Sequence, residues 1–281
     1  IKIISEIKIL CDNFSDKPWN TQTQTAFFDA LIKDESFEGQ DSQKDKAFSA
    51  RDRITRAPKS LGFVDLHPII KITEAGKNFI DEKRTEEALL RQLLKFQLPS
   101  PFHAEPESLK GIFYVKPYLE ILRLIYYMKT VTFDEVMLFG MQLTDYRKFD
   151  TMVERINLFR SNKKGFPGSY KQYLGEQFNT ELSIVYEDEI NKGKTETRES
   201  IDTSIDKFLK TKRGNNRDYT DACFRYLRAT GLVSISHKGR SLSIMPDKIK
   251  EVEYILSVVD RNPVYINDVV KYKEYLFDAS L

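Results

Sequence analysis

Two stretches of the chain share one spacing of charged and turn-forming residues: Asp52-x3-Arg56-x2-Lys59-x2-Gly62-Phe63-Val64 and Asp221-x3-Arg225-x2-Arg228-x2-Gly231-Leu232-Val233. Arginine or lysine donates to guanine O6 and N7, and aspartate accepts from cytosine N4, so an exposed Asp-x3-Arg face offers complementary readers for a G·C pair. Facing phosphates instead, the acid would be a cost. The alternative is an i,i+4 ion pair on a solvated helix, which contributes only about 0.2–0.5 kcal/mol. Both readings are open at the level of sequence.

The residues around each copy extend the chemistry. A helix over about Lys46 to Leu61 places Ala47, Ala50, Ile54, Ala57 and Leu61 on one stripe. Its opposite face carries Ser49, Asp52, Thr55, Arg56 and Lys59, with Arg51 and Arg53 on the flanks. The second helix is expected over about Arg217 to Thr230, after Arg213-Gly214-Asn215-Asn216, where either asparagine is a candidate cap. Candidate base readers are therefore Ser49, Arg51, Asp52, Arg53, Arg56 and Lys59 in the first copy, and Asn216, Arg217, Asp218, Asp221 and Arg225 in the second. Lys44, Lys46, Lys210, Lys212, Arg213 and Arg228 fit phosphate contacts, which position a duplex without specifying its sequence. Trp19, flanked by Lys17 and Asn20 ahead of the first helix, is either an arm along DNA or a packing anchor.

Other chemistries leave no trace. His67, His103 and His237 lack metal-ligand spacing, and Cys11 and Cys223 stand far apart without a CxxC partner, as expected of buried thiols. Asp65 followed by Asp81-Glu82-Lys83 matches the spacing of a Mg²⁺ nuclease motif, but Asp81 and Lys83 fall at the end of a helix rather than on a strand. Glycine-rich phosphate loops and nucleophile elbows are absent.

Overall charge is nearly balanced, 44 basic against 42 acidic residues, unlike a nonspecific DNA coat. The distribution is uneven. Lys44 to Val64 holds six basic residues and two acidic ones, and Lys207 to Arg217 holds five basic residues and no acid. Positive charge gathers at the two repeated helices, although such runs also occur as plain solvated faces. No apolar run approaches the roughly 20 residues that span a bilayer, and the charged start is unlike a signal peptide, so the cytoplasm is expected.

The elements that position these residues read as follows. Gly62 and Gly231 each end a helix by supplying a left-handed position, and the apolar pair after each opens a hairpin. Gly62 to Pro68 and Ile69 to Ile72 form the first hairpin, and Thr73 caps a further helix. Leu232 to Ser236 and Ser241 to Met245, joined by His237-Lys238-Gly239-Arg240, form the second. Helix followed by hairpin is how a winged-helix recognition helix and wing read in sequence. Thr23 to Asp34, Glu86 to Phe96, Pro117 to Met128, Asp150 to Arg160 and Lys248 to Val259 have helical periodicity, and Thr132 with Glu135 makes a capping box. Ser161 to Thr211 reads as an insertion or extended hairpin, partly mobile. The fold expected is mainly α with small β-hairpins (α+β): residues 1–84 as an N-terminal arm plus a first winged-helix subdomain, 85–116 as a helical linker, and 117–281 as a second winged-helix subdomain with an insertion at about 161–211.

Ala47 to Arg53, Gly62-Phe63-Val64, Ile72 to Lys77, Leu89 to Gln97, Asn216-Arg217-Asp218, Asp221-Ala222 and Arg225 to Leu232 together resemble the DNA-recognition half of type IIS restriction and nicking endonucleases of the AlwI/BstNBI kind. The resemblance implies two winged-helix subdomains joined by a helical one, reading an asymmetric double-stranded DNA site that contains G·C pairs. It also implies a bacterial source and a Mg²⁺-dependent cleavage domain C-terminal to this half, so no cofactor is expected here. Two unlike modules suit a monomer on an asymmetric target. The competing readings are a winged-helix transcriptional regulator or replication initiator, a winged-helix scaffold that binds protein, and a complete enzyme.

Overall fold

Gly62 and Gly231 adopt φ of 77° and 70°, the left-handed conformation a helix C-terminus needs before the chain turns into a strand. At Gly62 a side chain is also excluded by space, because a Cβ would lie 2.5 Å from Leu276 Cγ. The computed structural model describes residues 2–34, 37, 45–103, 113–191, 204–236, 238 and 240–280, and over these the chain is mainly helical with two small antiparallel sheets. Contacts group into two units: Ile1–Phe96 with Tyr265–Leu281, and Gln97–Val264.

In the first unit, α1 (Lys2–Phe14) buries Ile3, Ile7, Leu10 and Phe14, a helical stripe that packs on α2 (Thr21–Ile32). The chain ahead of the Trp19 segment thus contains a core helix. Helix α3 (Lys46–Ile54), capped by Asp45, runs into a π-turn at Thr55–Lys59. Pro58 lies in that turn and has no N–H for the α ladder, so the single helix expected to Leu61 changes pitch after Ile54. The apolar stripe survives the change: Ala47, Ala50, Ile54, Ala57 and Leu61 are all buried. Strands β1 (Val64–Asp65) and β2 (Lys71–Ile72) pair antiparallel, with Val64 opposite Ile72. Thr73 caps α4 (Glu74–Ile80) by accepting from Gly76 N, and α5 (Thr85–Lys95) follows. The C-terminal helix Val269–Phe277, placed by sequence in the second subdomain, buries Tyr272 and Leu276 in this unit. Buried Gln92 ties it down, its Nε2 donating to Leu61 O and Leu276 O, each at 2.6 Å.

The second unit begins with α6 (Pro117–Met128), β3 (Thr130–Thr132) and α7 (Phe133–Leu138), the last opened by the Thr132–Glu135 capping box. Helices α8 (Phe149–Lys163), α9 (Tyr170–Val185) and α10 (Glu187–Asn191) follow, then α11 (Ile205–Arg228), β4 (Val233–Ser236), β5 (Ser241–Ile244) and α12 (Ile249–Val258). The sheet order is β3-β5-β4, with Leu242 of β5 between Val131 and Ile235. Leu242 and Val131 are fully buried, so the sheet's inner face joins the core.

Two expectations for this unit change. The described part of 161–211 is helical rather than a hairpin, because Ser169 and Gln172 form a second capping box that starts α9. Residues 192–203 lie outside the described residues. Helix α11 starts at Ile205 with Ser204 as its cap, accepting from Lys207 N, so Asn215 and Asn216 are interior rather than capping. The compact units also fall differently from the three segments expected: α5 belongs with the first unit, and the C-terminal helix returns to it.

Candidate nucleic-acid interface

In the second unit, α11 buries Thr220, Cys223, Phe224 and Leu227 and turns its opposite side to solvent. Arg217, Asp218, Asp221, Arg225 and Arg228 are exposed on that side. Asp221 and Arg225 form an ion pair with 3.0 Å between carboxylate and Nε, each side chain 61% exposed. Asn216 is half-buried, and its Nδ2 lies inside without a hydrogen-bond partner. The basic residues before it divide. Lys210 is exposed, whereas the Lys212 ammonium lies over the Tyr186 and Phe208 rings and the Arg213 guanidinium over Phe178. These two cations are therefore held by aromatic rings of the α8–α10 region and of α11 itself, a use that sequence spacing does not reveal.

The turn after β4 carries exposed Lys238, in the left-handed region at φ 56°. His237 and Gly239 lie outside the described residues. At its base Arg240 reaches Asp134 at 3.2 Å. Asp134 in turn accepts from the Tyr170 hydroxyl at 2.7 Å, which ties α7 to α9. Burial pushes the Tyr170 phenol well above its ordinary value, and the Asp134 carboxylate adds to the shift.

The first unit presents less of its predicted set. Arg56 is 67% exposed and pairs with Asp52 at 2.8 Å. Ser49 is buried, with its hydroxyl donating to Asp45 O. Arg51 donates to Gln24 Oε1 at 2.8 Å, and Arg53 donates to Glu6 at 3.1 Å with its guanidinium over Phe37. Lys59 is half-buried, and burial followed by repulsion from Lys273 pushes its ammonium down. Lys46 pairs with Asp29 at 2.6 Å, and Lys17 donates to Asn13 O at the end of α1. Asn20 caps α2, and Trp19 packs edge-on against Phe27. That contact with Phe27 is the packing role among the two readings of Trp19. Lys44 lies outside the described residues.

The AlwI restriction endonuclease family matches residues 59–279 of the chain. The chain belongs to this family. The match in this AlwI-family chain takes in the first hairpin and the whole of the second repeat, but begins after α3. A solved structure described as pyrene- and phenanthrene-modified DNA in complex with the BpuJ1 endonuclease binding domain shares the fold, with a TM-score of 0.56 at 13% identity over 100% of this chain and 92% of that one. No curated protein matches.

Among the described residues no group of three or more His, Cys, Asp or Glu side chains converges. Asp65 is taken by Lys273 at 2.8 Å, and Asp81 accepts from Lys83 N at the end of α4, so the apparent acid and acid-x-Lys pattern is structural. Among the described residues no helix is long and apolar enough to cross a membrane. Lys207, from the basic run before the expected helix, and Tyr219 are also exposed on α11.

Proposed function

We propose that the chain is the sequence-reading part of a type IIS restriction endonuclease, binding double-stranded DNA through the solvent face of α11 and, to a lesser extent, through Asp52 and Arg56. The observation that carries this reading is the exposed Asp221–Arg225 pair on a helix backed by a three-stranded sheet, in a chain of a restriction endonuclease family. The succession α6, β3, α7, α11, β4, β5 with sheet order β3-β5-β4 supports a winged-helix reading of the second unit. In that reading α11 lies in the major groove, Arg225 donates to a guanine, and Asp221 or Asp218 accepts from a cytosine N4. Exposed Lys210 and Arg228 neutralise phosphates, and Arg217, counted among the base readers from sequence, is reassigned to the same task here.

Two unlike units give no reason for a palindromic target, so an asymmetric site bound by a monomer follows. Cleavage, with its Mg²⁺, is assigned to a separate domain of the parent enzyme on the strength of the resemblance to AlwI-type endonucleases. Selection of bound duplexes from a random pool tests the reading. An asymmetric motif containing G·C pairs, with affinity falling steeply as salt rises, is the expected result. A palindrome bound by a dimer, or no enrichment, contradicts it.

A further inference from the structure

The exposed stripe of α11 holds a glycine that no contact among the described residues requires. Gly214 lies inside a helix that runs from Ile205 to Arg228, where glycine is less favourable than alanine because it gives up more backbone freedom. Unlike Gly62 and Gly231, it has no positive φ to accommodate. A Cβ built at Gly214 meets no atom within 4 Å, whereas at Gly76 it would run into Phe63 O. Asn215 and Asn216, also weak helix formers, follow directly. Among the described residues, then, neither backbone conformation nor packing accounts for the missing side chain.

The neighbours on the helix indicate what approaches. At 100° per residue, Lys210, Gly214, Arg217, Asp218, Asp221 and Arg225 fall within an arc of about 100°, and all six are exposed. Along the axis the order is cation, gap, cation, then the candidate base readers. We propose that Gly214 is where a sugar–phosphate strand crosses α11 at the rim of the groove. The absent side chain lets the strand close on the helix backbone. Lys210, one turn before, and Arg217, one turn after, clasp its phosphates, and Asp218 to Arg225 extend over the base edges, the last about 16 Å along the axis from the crossing. This rests on the DNA-binding reading above and adds the point of closest approach.

The test uses the full 281-residue chain as wild type, Gly214→Ala and Gly214→Asn, with thermal melting and with binding to a fluorescently labelled duplex of random sequence at low salt. Alanine should raise the melting midpoint by about 2–4 °C. It should also weaken binding on the order of tenfold, so that stability and affinity move in opposite directions. Asparagine, bulkier but a poor helix former, should melt near the wild type and bind more weakly than alanine. Wild-type affinity in the alanine variant overturns the proposal. So does wild-type affinity in the asparagine variant beside weak binding by alanine, which would show that the helix must bend there rather than clear a strand. If the wild type binds no duplex even at low salt, the DNA-binding reading fails as well; if it binds and the glycine variants match it, only the crossing point fails.

Discussion

Arg225 Nε sits 3.0 Å from the carboxylate of Asp221, one turn earlier on α11, with both side chains 61% exposed. Water screens such a pair, and holding two long side chains together costs entropy. Alanine at either position should therefore change stability by no more than about 0.5 kcal/mol, with a double-mutant coupling of the same order. Urea denaturation of the two single variants and the double variant checks this. A coupling well above about 1 kcal/mol would make the pair a structural element rather than two free readers.

Arg53 behaves oppositely, because it faces Glu6, whose side chain is only 11% exposed. Burial pushes the Glu6 carboxyl above its ordinary value of 4.5, with Arg53 opposing the shift. Arg53→Ala should cost about 2 kcal/mol at neutral pH by leaving a buried charge without its donor. With the folded pKa above the unfolded one, the contribution of Glu6 is fully present below 4.5 and is lost as pH rises through the folded value. The penalty should thus shrink in acid, and Glu6→Gln should relieve it at neutral pH. A loss independent of pH contradicts this assignment.

Glu135 titrates with the reverse sign. Burial raises its carboxyl, but bonds from Arg160 and from Thr132 N together outweigh burial and hold it below 4.5. Its contribution is present above 4.5 and is lost as pH falls through the folded value. Glu135→Gln should destabilise the protein by about 1–3 kcal/mol at pH 7. The gap between variant and wild type should narrow below about pH 4. A gap that stays constant from neutral to acid pH rules the linkage out.

Both thiols should be sluggish. Burial pushes Cys11 up to about 11, with Asp12 adding to it, and pushes Cys223 up to about 12. Thiolate is the reactive form, so a disulfide-exchange reagent at pH 8 should label the native chain slowly and the unfolded chain fast. Rapid labelling of Cys223 in the native state would show that α11 opens.

Backbone punctuation was the part of the fold most legible in the sequence. Gly62 and Gly231 announced two helix ends, Thr73 and Thr132 announced two starts, and the segments either side of His237 to Arg240 announced a hairpin, because each of these acts through atoms within a few residues. Helix α11 was cut short because Gly214-Asn215-Asn216 has the composition of a cap while Ser204, the actual cap, sits well upstream. Among the site residues, α3 misled for a different reason. A helical wheel places Arg51 and Arg53 beside Arg56, but their partners Gln24 and Glu6 come from α2 and α1, and nothing local to α3 encodes them. The same limit hid the rings under Lys212 and Arg213. What remained exposed, Arg56 and the α11 stripe, was legible because no distant segment claims it.

The base-preference profile of Arg225→Ala, set beside that of the wild type by selection from a random duplex pool, tests the central claim most directly. Loss of discrimination at a single G·C position, at a cost of about 1–3 kcal/mol on the preferred site with the other positions unchanged, is the result expected of a base-reading arginine. A uniform weakening across all sequences would make Arg225 a phosphate contact, and an unchanged profile would place the reading surface elsewhere than on α11.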